Sequence, residues 1–182
     1  MLLSMGIYLY TTRVVLSILG VEDYGIYNVV GGLVAMFSFL NATMSGATSR
    51  FITFELGRGD MERMKKTFAT LSTLVYLLAV IVLILGETVG LWFVKEYLVI
   101  PDERWKAALF VYHCSLLAFI VNLIALPYNS CVIAHEKMNF FAIVSVLDSV
   151  LKLGIVYMLY ISPFDRLRTY AVLLVAIGVI IR

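Results

Sequence analysis

Asp148 and Lys152 stand four residues apart in the stretch LDSVLKL, inside an otherwise apolar run. On a helix that spacing puts both on one face, with the acid N-terminal to the base, the favourable order. Arg13, Arg50 and Glu87 are embedded in apolar runs in the same way. An ionisable group at the centre of a bilayer costs at least about 2.5–3.5 kcal/mol on insertion scales, so it faces a cavity or a partner, or reaches back to the interface. Arg13, Arg50 and Glu87 lie near enough to run ends for that last option. Asp148 sits near the middle of its run, and its short side chain has no such reach. An acid held there beside a lysine can exchange a proton. Glu87, Asp148 and Lys152 are therefore the candidate ion-coupling or cavity charges, with H+ or Na+ as the ion.

Catalytic patterns are missing. His135-Glu136 has no second histidine at metal-ligating spacing, and His113 stands alone in an apolar run, where a packing role is the simpler reading. There is no phosphate-cradling glycine loop and no serine nucleophile elbow. Cys114 and Cys131 form no Cys-x-x-Cys pair and read as packed thiols. Asn41-Ala-Thr43 matches a glycosylation sequon but falls within an apolar run, which makes it a chance match. No enzyme, metal site or cofactor is expected.

The elements that must hold these charges follow from composition. Of 182 residues, 62% are hydrophobic and 14% charged, against about 45–50% and 25% in soluble domains. So few charges cannot cover the surface of a water-soluble fold of this size. The fold class expected is an all-α integral membrane protein, a bundle of about six spans in one transmembrane domain, residues 1–182. The net charge of +2 is dispersed between apolar runs, which argues against a nucleic-acid partner. The spans read as about 1–19, 24–54, 67–94, 107–134, 138–161 and 169–181. The second is long: about 46 Å of helix against a hydrocarbon core of about 30 Å, so it tilts or protrudes. The first and last are short, and the chain is expected to be a fragment of a larger protein.

Helices in lipid can turn only where backbone groups find partners, at the interface. In SILGVEDYG, Gly20 suits a left-handed cap and Asp23 an N-cap, which predicts a tight hairpin with four residues between helices. The other links are polar and short, too short to hold a soluble domain. Arg58, Arg63, Lys65, Lys66 and Lys137 in links two and four balance Lys95, Arg104, Lys106, Arg166 and Arg168 in links three and five, so the positive-inside rule ties. The densest cluster, 58–66, leans toward the cytoplasm. The second run concentrates small and polar residues from Asn41 to Ser49, fit either for close helix packing or for lining a hydrated cavity. Pro127, between Asn122 and Asn129, predicts a kink.

TRVVLSILGVEDYGIYNVVGG, LGRGDMERMKKTF and PYNSCVIAHEKMNFFAIVSVLDSVLKL together resemble the N-terminal half of bacterial polysaccharide transporters. These are the lipid-linked oligosaccharide flippases of the superfamily that includes the multidrug and toxic-compound extrusion transporters. The resemblance covers about residues 5–160. It implies two pseudo-symmetric lobes around a central cavity, a cytoplasmic N-terminus, and location in the bacterial inner membrane as a multi-pass protein. It implies movement of a polyprenyl-diphosphate-linked sugar between leaflets for cell-surface polysaccharide such as O-antigen. By position, Arg13 and Arg50 would hold the diphosphate, joined by Asn41 as a substrate-binding candidate. Partners implied are membrane lipid, the lipid-linked sugar and other polysaccharide assembly proteins. A cation-coupled exporter of small amphiphiles and a non-transporting scaffold are the alternatives.

Overall fold

The computed structural model describes residues 2–136, 138–161 and 165–182, and all regular structure among them is helical. α1 spans Leu2–Ala35, α2 Ser38–Arg58 and α3 Met61–Leu85. A π-helical turn, Gly86–Gly90, joins α3 to the short α4, Leu91–Tyr97. A 3-10 turn, Asp102–Arg104, leads into α5, Trp105–Ala134, followed by α6, Met138–Ile161, and α7, Arg166–Ile181. Local chemistry sets several ends. Gly59 closes α2 with a left-handed φ of 71°, its N–H donating to the Leu56 carbonyl. Asp60 caps α3 by accepting from the Arg63 N–H at 3.1 Å, and Asp165 caps α7 by accepting from the Leu167 N–H at 3.3 Å.

Four helical runs are long and apolar enough to cross a membrane: Met5–Ala35, Met61–Tyr97, Asp102–Ala134 and Ala142–Tyr160. This corrects the expected count of six. α7, with 16 residues, is short of the roughly 20 a crossing needs. α2 loses apolar character to its Asn41–Arg50 stretch. The expected run 24–54 also breaks at Met36–Phe37, so its first part belongs to α1 and the rest to α2.

The first link is tighter than the four residues expected. Within α1 only Gly20 leaves helical values, at φ 82° and ψ 171°, a region that a residue with a Cβ rarely adopts. The chain bends back there. Before the bend, Tyr10 meets Tyr157 of α6 with hydroxyls 3.5 Å apart, and the Ile18 carbonyl accepts from Arg166 at 3.1 Å. After it, Tyr27 packs edge-on against Tyr170 of α7, ring centres 5.2 Å apart. The second half of α1 thus leaves the end of the bundle that the first half approached. Thr11 and Asn28, about 25 Å apart along a straight helix, line one cavity. Asp23 is not the N-cap expected of it. It lies inside α1, buried, and is held by an arginine.

That arginine is Arg104. Its Nε is 3.3 Å from Asp23 and its Nη1 3.6 Å from Asp165, while Arg168 reaches the other Asp165 oxygen at 3.5 Å. One guanidinium therefore gathers links one, three and five at the same end of the bundle. The second and fourth links remain apart from it, and Lys137 of the fourth falls outside the described residues.

α5 is the central helix. It is apolar all round, stays helical through Pro127, and packs against α1, α2, α3, α6 and α7. Val111, Tyr112, Leu116 and Leu123 are wholly or almost wholly buried along it. On α3, by contrast, Leu77, Val80 and Ile84 face outward, as a lipid-exposed surface requires. The tightest approach is at the π-turn. A Cβ at Gly86 would meet the Leu116 side chain at 2.7 Å, and one at Gly90 would overlap the Tyr112 hydroxyl. That hydroxyl donates at 2.6 Å to the Gly86 carbonyl, an oxygen of the turn that also accepts from the Leu91 N–H.

Arg104→Ala should strand the Asp23 carboxylate. With Arg104 40% exposed and the Asp23 side chain 9%, the loss should approach about 3 kcal/mol, the low end for a broken buried pair. Asp23→Leu combined with Arg104→Ala should recover most of it. Unfolding in mixed micelles measures both, and an unchanged midpoint for Arg104→Ala would remove the clasp from the account.

Candidate functional site

A cavity of about 450 Å³ opens between the two halves of α1, α6 and α7. Its apolar walls come from Met5, Ile7, Val15 and Leu174. Its polar lining comes from Thr11, Thr12, Asn28, Ser149, Asp148 and Lys152, with the rings of Tyr24, Tyr27 and Tyr170. The bend at Gly20 makes this possible, because it lets both halves of α1 contribute to one wall.

Inside it, Lys152 Nζ donates to Asp148 Oδ2 at 2.7 Å. Their side chains are 43% and 29% exposed, Asp148 being the better covered. Several hydroxyl donors are already spent on the backbone. Thr11 donates to the Ile7 carbonyl at 2.7 Å and Ser149 to the Ser145 carbonyl at 2.9 Å. Asn28 donates to the Tyr24 carbonyl at 2.9 Å. These groups therefore offer mainly acceptor oxygens to an occupant, and Lys152 supplies the cationic donor. A lysine works as a mobile point charge that can hold an anion while its acid partner lets go. Asp148 in turn can accept a proton or coordinate a cation. The arrangement suits reversible binding of a charged, partly apolar solute. A second cavity of about 240 Å³, with Cys114, Ser115 and Asn122 among its lining residues, lies between α1, α5 and α7.

The structure thus brings two of the sequence candidates together. The others stand elsewhere. Arg13 is exposed on α1, Arg50 is exposed on α2, and Asn41 is half-buried on α2. None of the three lines either cavity. Glu87 occupies the π-turn, where its Oε2 lies 3.4 Å from Nε2 of His113 on α5. His113 is thus not the lone packing residue that the sequence suggests. Reading the sequence alone also missed the Asp23–Arg104–Asp165 group and the seating of Tyr112 on Gly86. One signal was available: Gly86-Glu-Thr-Val-Gly90 has the spacing that lets membrane helices approach closely. Partners 26 residues apart, such as Glu87 and His113, leave no comparable trace. Among the described residues no three His, Cys, Asp or Glu side chains converge as a metal site would require.

No family model matches the chain, and no curated protein or solved structure matches it. The extrusion-transporter likeness has no match behind it, and what holds is the coarser description: an all-helical chain with helices fit for a multi-pass membrane protein.

Asp148→Asn and Lys152→Met should each leave a polar or charged group without its mate. Because both side chains are partly exposed, each should lower stability by no more than about 1 kcal/mol. The double variant should be more stable than the sum of the two losses predicts. Strictly additive losses would show that the two groups do not interact.

Proposed function

We propose that this protein moves a lipid-linked, anionic sugar across the bacterial inner membrane for cell-surface polysaccharide assembly. The observation that carries the reading is the cavity walled by α1, α6 and α7. Two of its three walls, α1 and α6, contain runs long and apolar enough to span a bilayer, yet it holds an acid–base pair and a set of hydroxyl and amide groups. Polar groups at such depth are expensive unless they serve a passage or a bound solute. Lys152 would meet the diphosphate, and the acceptor oxygens of Thr11, Asn28 and Ser149 would take hydrogen bonds from sugar hydroxyls. The tyrosine rings would cover apolar sugar faces. Asp148 would hold Lys152 in place when the site is empty and would exchange a proton, or give way to Na+, as the solute arrives. Arg13 and Arg50 would act on the diphosphate outside this cavity, with Asn41 on the same helix as Arg50, and neighbouring assembly proteins would supply and remove the substrate.

Asp148 also favours a second reading, export of small cationic amphiphiles driven by a cation gradient, because a carboxylate selects positive charge. Binding to the full chain in nanodiscs separates the two. Quenching of tyrosine fluorescence should saturate with a polyprenyl-diphosphate sugar, and Lys152→Met should weaken that binding about tenfold, equivalent to about 1.4 kcal/mol. Preference for a cationic amphiphile, abolished by Asp148→Asn, would establish the exporter instead. Saturation by neither would leave a scaffold.

A further inference from the structure

Two cavities of different chemistry lie in line along the second half of α1. Tyr24, Tyr27 and Asn28 line the one that holds Asp148 and Lys152. One turn further on, Gly31, Val34 and Ala35 line the one of about 240 Å³ that α5 and α7 complete. Tyr27 and Leu174 line both, so these two side chains stand at the junction. The ring of Tyr170 packs edge-on against Tyr27 there, centres 5.2 Å apart. On α7 the order repeats: Tyr170 lines the first cavity, Val175 the second, and Leu174 is shared.

The second cavity differs from the first in charge. Among the described residues lining it, none carries a formal charge. Its polar groups, Cys114, Ser115 and Asn122, are all on α5, beside Phe119, and beyond Tyr27 the α1 and α7 walls are glycine or apolar. With the bend of α1 at the interface, Gly31 lies about 16 Å along the helix from Gly20, near the middle of a hydrocarbon core of about 30 Å. An uncharged compartment suits that depth. Gly31 itself is informative. Its φ is not positive, so the backbone does not require glycine there. A Cβ built on it meets nothing within 4 Å, so packing does not require glycine either. Its missing side chain leaves part of the cavity open.

We propose, building on the first cavity as the seat of a charged head, that the second cavity seats the apolar chain of the same amphiphile. The chain passes between Tyr27 and Leu174 and lies along Gly31, Val34 and Val175, against Phe119. In a polyprenyl diphosphate, the isoprene units next to the phosphate are the ones that enter. A solute with a head alone, such as a free sugar phosphate, fills the first cavity and leaves the second empty. Head and chain are thus recognised separately, by side chains on different turns of α1.

Calorimetry on the full chain in nanodiscs tests this with dimethylallyl and geranyl diphosphate, one isoprene unit and two, and with trimethylammonium amphiphiles of the same two chains. Comparing variants in the same lipid cancels the partition of the probes into it. Gly31→Phe fills the second cavity. It should weaken geranyl diphosphate about tenfold, a modest factor because lipid is as apolar as the cavity wall, and leave dimethylallyl diphosphate unchanged. Lys152→Met should weaken both diphosphates alike. If Gly31→Phe weakens both chain lengths equally, or neither, the second cavity holds no chain, while a Lys152 effect keeps the anionic reading of the first. If the ammonium probes alone bind, with the same dependence on Gly31, the anionic reading is lost and the chain seat stands. Binding of no probe removes both. A diazirine at the far end of the geranyl chain examines the wild type directly, and it decides if Gly31→Phe does not fold. Labelling around Val34, Phe119 and Val175 supports the seat; labelling confined to lipid or to the outward face of α3 overturns it. Labelling there by a diazirine-bearing acyl chain, and not by the geranyl probe, would assign the cavity to bilayer lipid instead.

Discussion

Arg104 lies between two carboxylates that are far apart in sequence, Asp23 and Asp165. The remaining architecture depends on that meeting. It holds the bend of α1, the entry to α5 and the entry to α7 at one end of the bundle. With three helix ends pinned together, the helices that leave them are in register. Tyr27 arrives beside Tyr170, and the second half of α1 lies along α5. The Asp23 carboxylate is buried, and a buried carboxylate without a partner is among the more expensive defects a fold can carry. An arrangement that separates these links is therefore disfavoured from three directions at once.

The same rule, that apolar surroundings leave polar groups to one another, organises the rest. Lys152 finds Asp148 one turn away, and both open into a cavity. Glu87 finds His113 across a helix boundary. The Gly86 carbonyl, at the start of the π-turn, takes the Tyr112 hydroxyl. In water each of these contacts would contribute little, since solvent competes for every donor and acceptor. Among helices that expose Leu, Val and Ile to their surroundings, they decide which faces turn inward. The two groups of charges are also separate. One lines the α1–α6–α7 cavity; the other sits on the outer side of the α3–α5 contact. The cavity charges and the helix contact can thus be altered independently.

Much of this organisation was legible in the residue order. An all-helical chain followed from an apolar content that no soluble surface could cover. The Gly20 bend followed from a glycine in the polar break between two apolar runs. The shared face of Asp148 and Lys152 followed from a spacing of four. Each of these rests on helix geometry or on interactions within a few residues, which sequence spacing encodes directly.

The tertiary structure alone decided the rest. Nothing local says that Asp23 gives up its capping role for an arginine 81 residues away, or that the expected second run breaks at Met36 and Phe37. The residue order does not say that Arg13 and Arg50 stay outside the cavity while Thr11, Thr12 and Asn28 line it. Whether a polar side chain faces a cavity, a neighbour or the lipid is set by the rotation of its helix against others. That rotation is chosen by pairings distant in sequence: Arg104 with two carboxylates, Tyr112 with Gly86, and Glu87 with His113. Helices and their ends come from short-range geometry; the site comes from which polar groups meet once water is excluded.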